Sequence, residues 1–343
     1  MQLIDPDGLT KNEKRGSDPS DFTTMPSSVR TKDFLSVLDF DPEELESCLS
    51  LAARVKRERS LGKKAPTANA LGGSHVALLF EKPSLRTIST FEIAVRELGG
   101  DVITPYPVAA LSEREPAVDV ARNLERWVKC VVMRTYAHST LLEFAKAAPR
   151  LHVVNALSDT EHPCQALADL QTVKEVWGEW AGRTITFVGD GNNVATSLAQ
   201  GAVMLGTSFN IASPSGYELP SKVVEQAMAV ARHGAQIRLF RDPGEAVAGS
   251  DAVYTDVWTS MGQEDEAAER KRAFDGYQVT PAMMRLAHNG AAFMHCLPAH
   301  RNEEVATDVF ESPVSVVFDQ AENRLHSQKA LLLTLMTNRT SGA

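Results

Sequence analysis

His75-Val76-Ala77-Leu78-Leu79-Phe80 runs directly into Glu81-Lys82-Pro83-Ser84-Leu85-Arg86-Thr87, and a helical pattern then reaches Leu98 before Gly99-Gly100 closes it. A short apolar run bounded by a polar turn reads as a buried strand, and the periodic segment behind it as a helix. The same unit recurs along the chain. Cys130–Met133, Val153–Ala156, Thr184–Val188, Phe209–Ala212, Gln236–Phe240, Ala252–Thr255 and Ala291–Leu297 are apolar runs separated by helical patterns. Such alternation predicts an α/β protein whose parallel sheets are covered by helices on both faces. At 343 residues the chain has room for two domains. The expected architecture is therefore two doubly wound parallel-sheet domains with an active-site cleft between them.

The first strong helix signal is Asp41-Pro42-Glu43-Glu44, an N-cap followed by proline and two acids, with Leu45, Leu49, Ala52 and Val55 on one face and Gly62 at its end. A long helix is predicted over Pro163 to Trp177, and a new strand opens at Arg183-Thr184-Ile185. These marks divide the chain into a mobile tail (1–32), a first domain (33–178) and a second domain (179–321). A last helix (322–337) is expected to pack back on the first domain.

Composition excludes several classes of function. Lys+Arg 35 against Asp+Glu 44 gives a net charge of −9, which argues against nucleic acid as the partner. Cys48, Cys130, Cys164 and Cys296 form no CxxC pair, so neither a zinc site nor a disulfide framework is expected. No apolar run approaches the roughly 20 residues of a membrane span, and the polar N-terminus has no secretory apolar region. These features predict a reduced, cytoplasmic protein with no membrane partner.

In parallel α/β sheets, ligands bind beyond the C-terminal strand ends, where helix N-termini point at them. The polar residues that follow the apolar runs are therefore the informative ones. Ser84, Arg86 and Thr87, with the free N–H groups near Leu85, make a phosphate cradle; the same residues also describe an ordinary capped helix with a solvated arginine. Arg134 ends another run, a place where surface charges are also common. His162 precedes Pro163 and Gln165 at a helix start, and reads as a proton donor, an oxyanion ligand or a plain cap. Gly189-Asp190-Gly191 begins like a dinucleotide fingerprint, but Val194 replaces the third glycine and no acid follows at the ribose position. Asn193 can instead hold a polar substrate. Asp256 can bind a cationic amine, with Ser260 and the backbone near Gly262 adding hydrogen bonds. His295-Cys296 ends the next run, and adjacent side chains on a strand are expected to point to opposite faces.

Taken in order, these motifs resemble the aspartate/ornithine carbamoyltransferase family over about residues 33 to 337. Ser84-Leu85-Arg86-Thr87 resembles its carbamoyl-phosphate signature. Arg134, His162 and Gln165 of His-Pro-x-Gln, and Arg324 in Glu322-Asn323-Arg324, match its other anion-side positions. Asp256, Ser260, Met261 and Asn193 resemble its ornithine site, as His295-Cys296-Leu297-Pro298 does in place of the His-Pro-Leu-Pro of the aspartate branch. The resemblance implies a first domain for carbamoyl phosphate and a second for ornithine. The implied reaction is attack of the neutral δ-amine of L-ornithine on carbamoyl phosphate, giving citrulline and phosphate in arginine biosynthesis or a urea-cycle-type step, of either biosynthetic or catabolic direction, with no metal and no organic cofactor.

The resemblance also implies residue roles. Arg86 would position the phosphate, and Arg134, His162 and Thr87 would stabilise the oxyanion. Cys296 would lie beside the δ-amine, and Leu297 would offer its carbonyl to the carbamoyl NH2. It further implies a homotrimer with shared active sites. Two departures stand out: Ile88 where an arginine completes SxRTR, and Ala110-Leu111-Ser112 where Gln-Leu-Gly is usual. They leave open a catalytically weak or regulatory paralogue, or an enzyme for a related amine. A nucleotide-dependent oxidoreductase rests on Gly189–Gly191 alone.

Overall fold

The computed structural model describes residues 31–105, 115–260 and 262–337. The expectations for residues 1–30, for Ala110–Ser112 and for Met261 lie outside these. In chain order the first half comprises α1 (Pro42–Glu58), β1 (His75–Phe80), α2 (Leu85–Glu97), β2 (Asp101–Ile103), α3 (Ala117–Trp127), β3 (Cys130–Arg134), α4 (His138–Ala147), β4 (His152–Leu157) and α5 (Pro163–Trp177). The second comprises β5 (Thr184–Val188), α6 (Asn193–Met204), β6 (Ser208–Ala212), α7 (Ser221–Ala229), β7 (Ile237–Phe240), α8 (Pro243–Val247), β8 (Ala252–Thr255), α9 (Ala267–Ala273), α10 (Pro281–Met284), β9 (Ala292–His295), α11 (Thr307–Phe310) and α12 (Val317–Thr337).

Two parallel sheets result, ordered β2-β1-β3-β4 and β7-β6-β5-β8-β9. Strand order reverses between β1 and β3 in one and between β5 and β8 in the other. The crevice outside the strand ends at such a switch point is where open α/β sheets bind ligands. Side-chain alternation places Val76, Leu78 and Phe80 in the core shared with α1, α2, α5 and α12, and Ala77 and Leu79 in a second core under α3 and α4. In the other sheet Phe187, Phe209 and Tyr254 face α5 and α6, while Val188, Val253 and Phe293 face a core with Phe274 and Val309. Helices thus cover both faces of both sheets.

α5 and α12 join the two halves. α5 is buried continuously from Pro163 to Val173 and packs on both α6 and α12. α12 returns to pack on α1, α2 and α5, where Lys329 Nζ reaches Glu97 at 2.9 Å.

Four boundaries differ from the sequence reading. α12 begins at Val317, five residues before position 322, so the expected break at 321 falls inside a helix. β9 stops at His295 because Leu297 adopts φ 59 and leaves the strand. The edge strand β2, too short and polar to stand out, pairs with β1. Thr31 and Lys32 do not belong to a free tail: Lys32 Nζ donates to Leu151 O at 2.6 Å, and His152 Nδ1 lies 2.7 Å from Lys32 O.

The glycine loop after β5 does not cradle a dinucleotide. Gly191 N donates to Tyr217 O at 2.8 Å, and a Cβ at Gly191 would collide with the backbone of Glu218 and Leu219. The second glycine therefore admits another stretch of this chain where a pyrophosphate would have to approach. Gly191→Ala is expected to destabilise the protein by about 2–3 kcal/mol, since backbone cannot yield as a flexible side chain can. Chemical denaturation against the parent chain measures this.

Candidate active site

The loop after β1 brings Ser84 to the start of α2 in an extended conformation, yet its side chain makes no capping hydrogen bond. Its hydroxyl instead receives a contact from Arg134 Nη1 at 3.4 Å. Thr87, one turn into α2 and almost fully buried, accepts from Arg324 Nη2 at 3.0 Å. Arg324 comes from α12, and its Nη1 donates to Gln165 Oε1 at 2.6 Å. Gln165 in turn donates to Asp169 Oδ1 at 2.8 Å, which directs its amide oxygen at the guanidinium.

Arg86, Arg134 and Arg324 line one cavity of about 620 Å³ together with His162, within the usual size of small-molecule sites. None of the three arginines pairs with a carboxylate among the described residues. Arg134 Nε, Arg324 Nε and His162 Nδ1 are buried without hydrogen-bond partners. Burial, then the nearby Arg324 and Arg86 charges, lower the Arg134 pKa to about 10. Burial also lowers Arg86 and Arg324. His162 is pushed well below the ordinary imidazole range, by burial first and then by the three guanidiniums, so its ring is neutral at pH 7. Its backbone N–H is fixed by Ser197 Oγ at 2.9 Å. The N-terminus of α2 adds its own positive end. This wall is built for an anion with several oxygens.

The opposite wall carries the reverse charge. Asp256, after β8, is 7% exposed and has only neutral partners: Val257 N at 2.8 Å and Cys296 Sγ at 2.9 Å on Oδ1, and Asn192 Nδ2 at 2.9 Å on Oδ2. Burial, reinforced by the Asp256 charge, raises the Cys296 pKa well above the ordinary thiol range, so this sulfur is a protonated donor and no thiolate nucleophile. Asn193, Thr259 and Ser260 also line the cavity. Asn193 Nδ2 is held by Ser158 O at 2.6 Å, and Ser260 N by Gln263 Oε1 at 3.1 Å.

His295 and Cys296 do not diverge as adjacent strand residues should. Their donor atoms and that of Asp256 lie within 4.8 Å of one another, because the strand ends at His295. The His295 ring is already engaged, with Nδ1 accepting from Leu297 N at 2.9 Å and Nε2 donating to Glu304 at 3.2 Å.

Comparison with known proteins follows this geometry. Residues 32–175 match the family model "Aspartate/ornithine carbamoyltransferase, carbamoyl-P binding domain", and residues 181–335 match "Aspartate/ornithine carbamoyltransferase, Asp/Orn binding domain". The chain belongs to the aspartate/ornithine carbamoyltransferase family. It is 47% identical to an ornithine carbamoyltransferase of Thermus thermophilus over 306 residues, 89% of this chain and 97% of that one. The solved ornithine carbamoyltransferase of Pyrococcus furiosus is 42% identical with a TM-score of 0.87, covering 92% of this chain and all (100%) of that one. An anabolic ornithine carbamoyltransferase from Campylobacter jejuni is 38% identical with a TM-score of 0.83, over 90% and 100% of the two chains.

Within this family member the residues singled out by sequence converge on one cavity, with three distinctions. Met261 lies outside the described residues. Gln165 is buried behind Arg324, and both ends of its amide are spent inside the protein. Leu85 stands 80% exposed at the rim between two inward residues. Ile88, where an arginine was expected, packs against the hydrophobic core. Sequence reading missed Asn192, Asp169 and Ser197. Asn192 was legible as a helix cap, but its second partner stands 64 positions away.

Crowding three guanidiniums costs the unliganded protein stability. A cation whose folded pKa is lowered opposes folding at neutral pH and ceases to do so only above that pKa. Arg134→Ala should therefore melt no lower than the parent without ligand. It should also lose most of the upward thermal shift that inorganic phosphate gives the parent. A calorimetric series with and without phosphate checks both.

Proposed function

We propose that this chain transfers the carbamoyl group of carbamoyl phosphate to the δ-amine of L-ornithine, forming L-citrulline and phosphate. The observation that carries this reading is one cavity in which, among the described residues, three guanidiniums on one wall pair with no carboxylate and a buried carboxylate on the other pairs with no cation. An anion and an amino acid bearing an ammonium complete those charges, and the relatives are named ornithine carbamoyltransferases. Citrulline formation serves arginine biosynthesis, in the anabolic sense of the Campylobacter relative.

In this mechanism Ser84, Leu85 N–H, Arg86 and Thr87 seat the phosphate, with Arg134 and Arg324 beside it. The ornithine δ-nitrogen attacks the carbonyl carbon and the oxygen becomes an oxyanion, stabilised by Arg134, Thr87 and neutral His162. The oxyanion then re-forms the carbonyl as the C–O bond to phosphate breaks, the electron pair leaves with the phosphate, and the nitrogen gives its proton to the departing phosphate. Cys296 lies beside the attacking nitrogen, Leu297 O accepts from the carbamoyl NH2, and Gln165 steadies Arg324. On the second-substrate side Asp256 takes the α-ammonium, and Asn193 and Ser260 hold the remainder of the head group.

The division near residue 178 into a carbamoyl-phosphate half and an ornithine half is part of this reading, supported by the two sheets. So is residence in a reducing cytoplasm, supported by four unpaired cysteines; among the described residues no helix is long and apolar enough to cross a membrane. The regulatory and oxidoreductase readings gain nothing from the structure, since the anion wall is fully furnished and the glycine loop is filled by its own chain.

Citrulline formation measured with ornithine beside aspartate, putrescine and N-acetylornithine tests the assignment; equal use of any of these would refute it. Arg86→Ala should lower kcat/KM by about 10²–10³, the value of one charged transition-state contact. Activity should rise above pH 7, because the attacking amine has a pKa near 10.4. His162 contributes no ascending limb there, being neutral already. For assembly, the reading is a homotrimer with sites shared between subunits, supported by the exposed Leu85 at the cavity rim. Mixing Arg86→Ala with a variant altered across 110–115, the stretch that in the family resemblance reaches a neighbour's active site, should restore part of the activity, whereas a monomer by light scattering would overturn it.

A further inference from the structure

Asp256 is held in one orientation by an amide that serves two elements. Oδ1 accepts from Val257 N and from Cys296 Sγ, and Oδ2 from Asn192 Nδ2. A carboxylate offers about four acceptor positions, so the one left open lies on Oδ2, next to Asn192. The Asn192 amide cannot turn over. Its oxygen caps α6, accepting from Val194 N at 3.0 Å and Ala195 N at 3.1 Å, which leaves the NH2 as the end that meets Asp256.

Capping alone does not call for asparagine, because serine, threonine and aspartate cap as well. Aspartate accepts from the helix but donates nothing. The single hydroxyl of serine cannot occupy both places where the amide has its two atoms. Asparagine alone among these residues both closes the helix and presents an N–H to a carboxylate at that distance.

We propose that Asn192 is a positioning residue for the amine-bearing substrate, fixing Asp256 so that the free lone pair of Oδ2 faces the incoming α-ammonium. The proposal rests on the assignment of Asp256 given above. It names the residue that sets the geometry of the recognition, and it links the start of α6 to the selection of the second substrate.

Asn192→Ser and Asn192→Thr both keep a helix cap and both remove the N–H at Asp256. In each, the KM for ornithine should rise about tenfold, the loss of one charge-assisted hydrogen bond. The KM for carbamoyl phosphate should stay within about twofold and kcat within about threefold, because the anion wall is untouched. The melting temperature of both variants should stay near that of the parent. An ornithine KM unchanged in both variants overturns the proposal. So does a parallel rise of both KM values with a fall in the melting temperature, which is what a purely structural cap would give. Asp256→Asn is measured alongside. If it raises the ornithine KM while both Asn192 variants do not, the role of Asn192 fails and that of Asp256 stands. If Asp256→Asn leaves the ornithine KM unchanged, the reading of Asp256 fails first and the proposal falls with it.

Discussion

Three guanidinium groups held together without a carboxylate beside any of them form the constraint around which this molecule is arranged. Like charges in a poorly solvated place repel, so each must be held by neutral atoms. Thr87 and Gln165 hold Arg324, and Ser84 lies by Arg134. Had aspartates done this work, an incoming phosphate would have had to displace them. The nearest buried acid, Asp169, is set one residue back. It acts through Gln165, and it also accepts from Gln320 Nε2 at 2.6 Å and Tyr254 Oη at 3.2 Å. Burial raises its pKa to about 7 against those donors. The elements needed to satisfy this arrangement are α2, β3, α5 and α12, which is why the last described helix must cross back over the first sheet.

The facing wall obeys the same rule with the sign reversed. Asp256 is surrounded by donors that carry no charge: a backbone N–H, a thiol kept protonated by burial, and an amide. Each wall is therefore incomplete in charge and complete in shape. A ligand that brings the missing charge gains strong hydrogen bonds without breaking existing ion pairs, and the positions of the donors settle which ligand that is. Glu161, a buried carboxylate next to His162 in the chain, accepts from Ser36 Oγ at 2.6 Å and Ser197 Oγ at 2.9 Å. Because Ser197 belongs to α6 and also fixes His162 N, the neutral imidazole is registered to both halves at once.

Much of this was legible in the amino-acid order because strand ends mark themselves. β1, β5 and β8 coincide with apolar runs, and the residues directly after them are those lining the cavity. Local chemistry also announced α1, where Asp41 and Glu44 form the reciprocal cap. What could not be read depends on partners far apart in the chain. Gln320 meets Asp169 across 151 positions, and Asn192 meets Asp256 across 64. A capping asparagine looks the same whether or not its NH2 has a carboxylate waiting. The end of β9 was misplaced for a related reason: Cys296 and Leu297 continue the apolar run, and only the backbone turn at Leu297 separates them from the strand. The loop after β5 begins like a dinucleotide fingerprint without completing it, and the path of residues 217–219 shows what its second glycine admits instead.

The position of α12 has a consequence for the order in which the molecule is made. A chain emerging from the ribosome folds its earlier elements first, so the first sheet can assemble with Ser84, Arg86, Thr87 and Arg134 already in place. Arg324 arrives only with the final helix, after the whole second sheet has been synthesised. Until then the groove between α2 and α5 lacks both its cover and its third cation. A nascent chain therefore cannot sequester the anion in a finished pocket ahead of its second substrate's half. The binding site is closed by a segment that follows the whole second sheet in the chain.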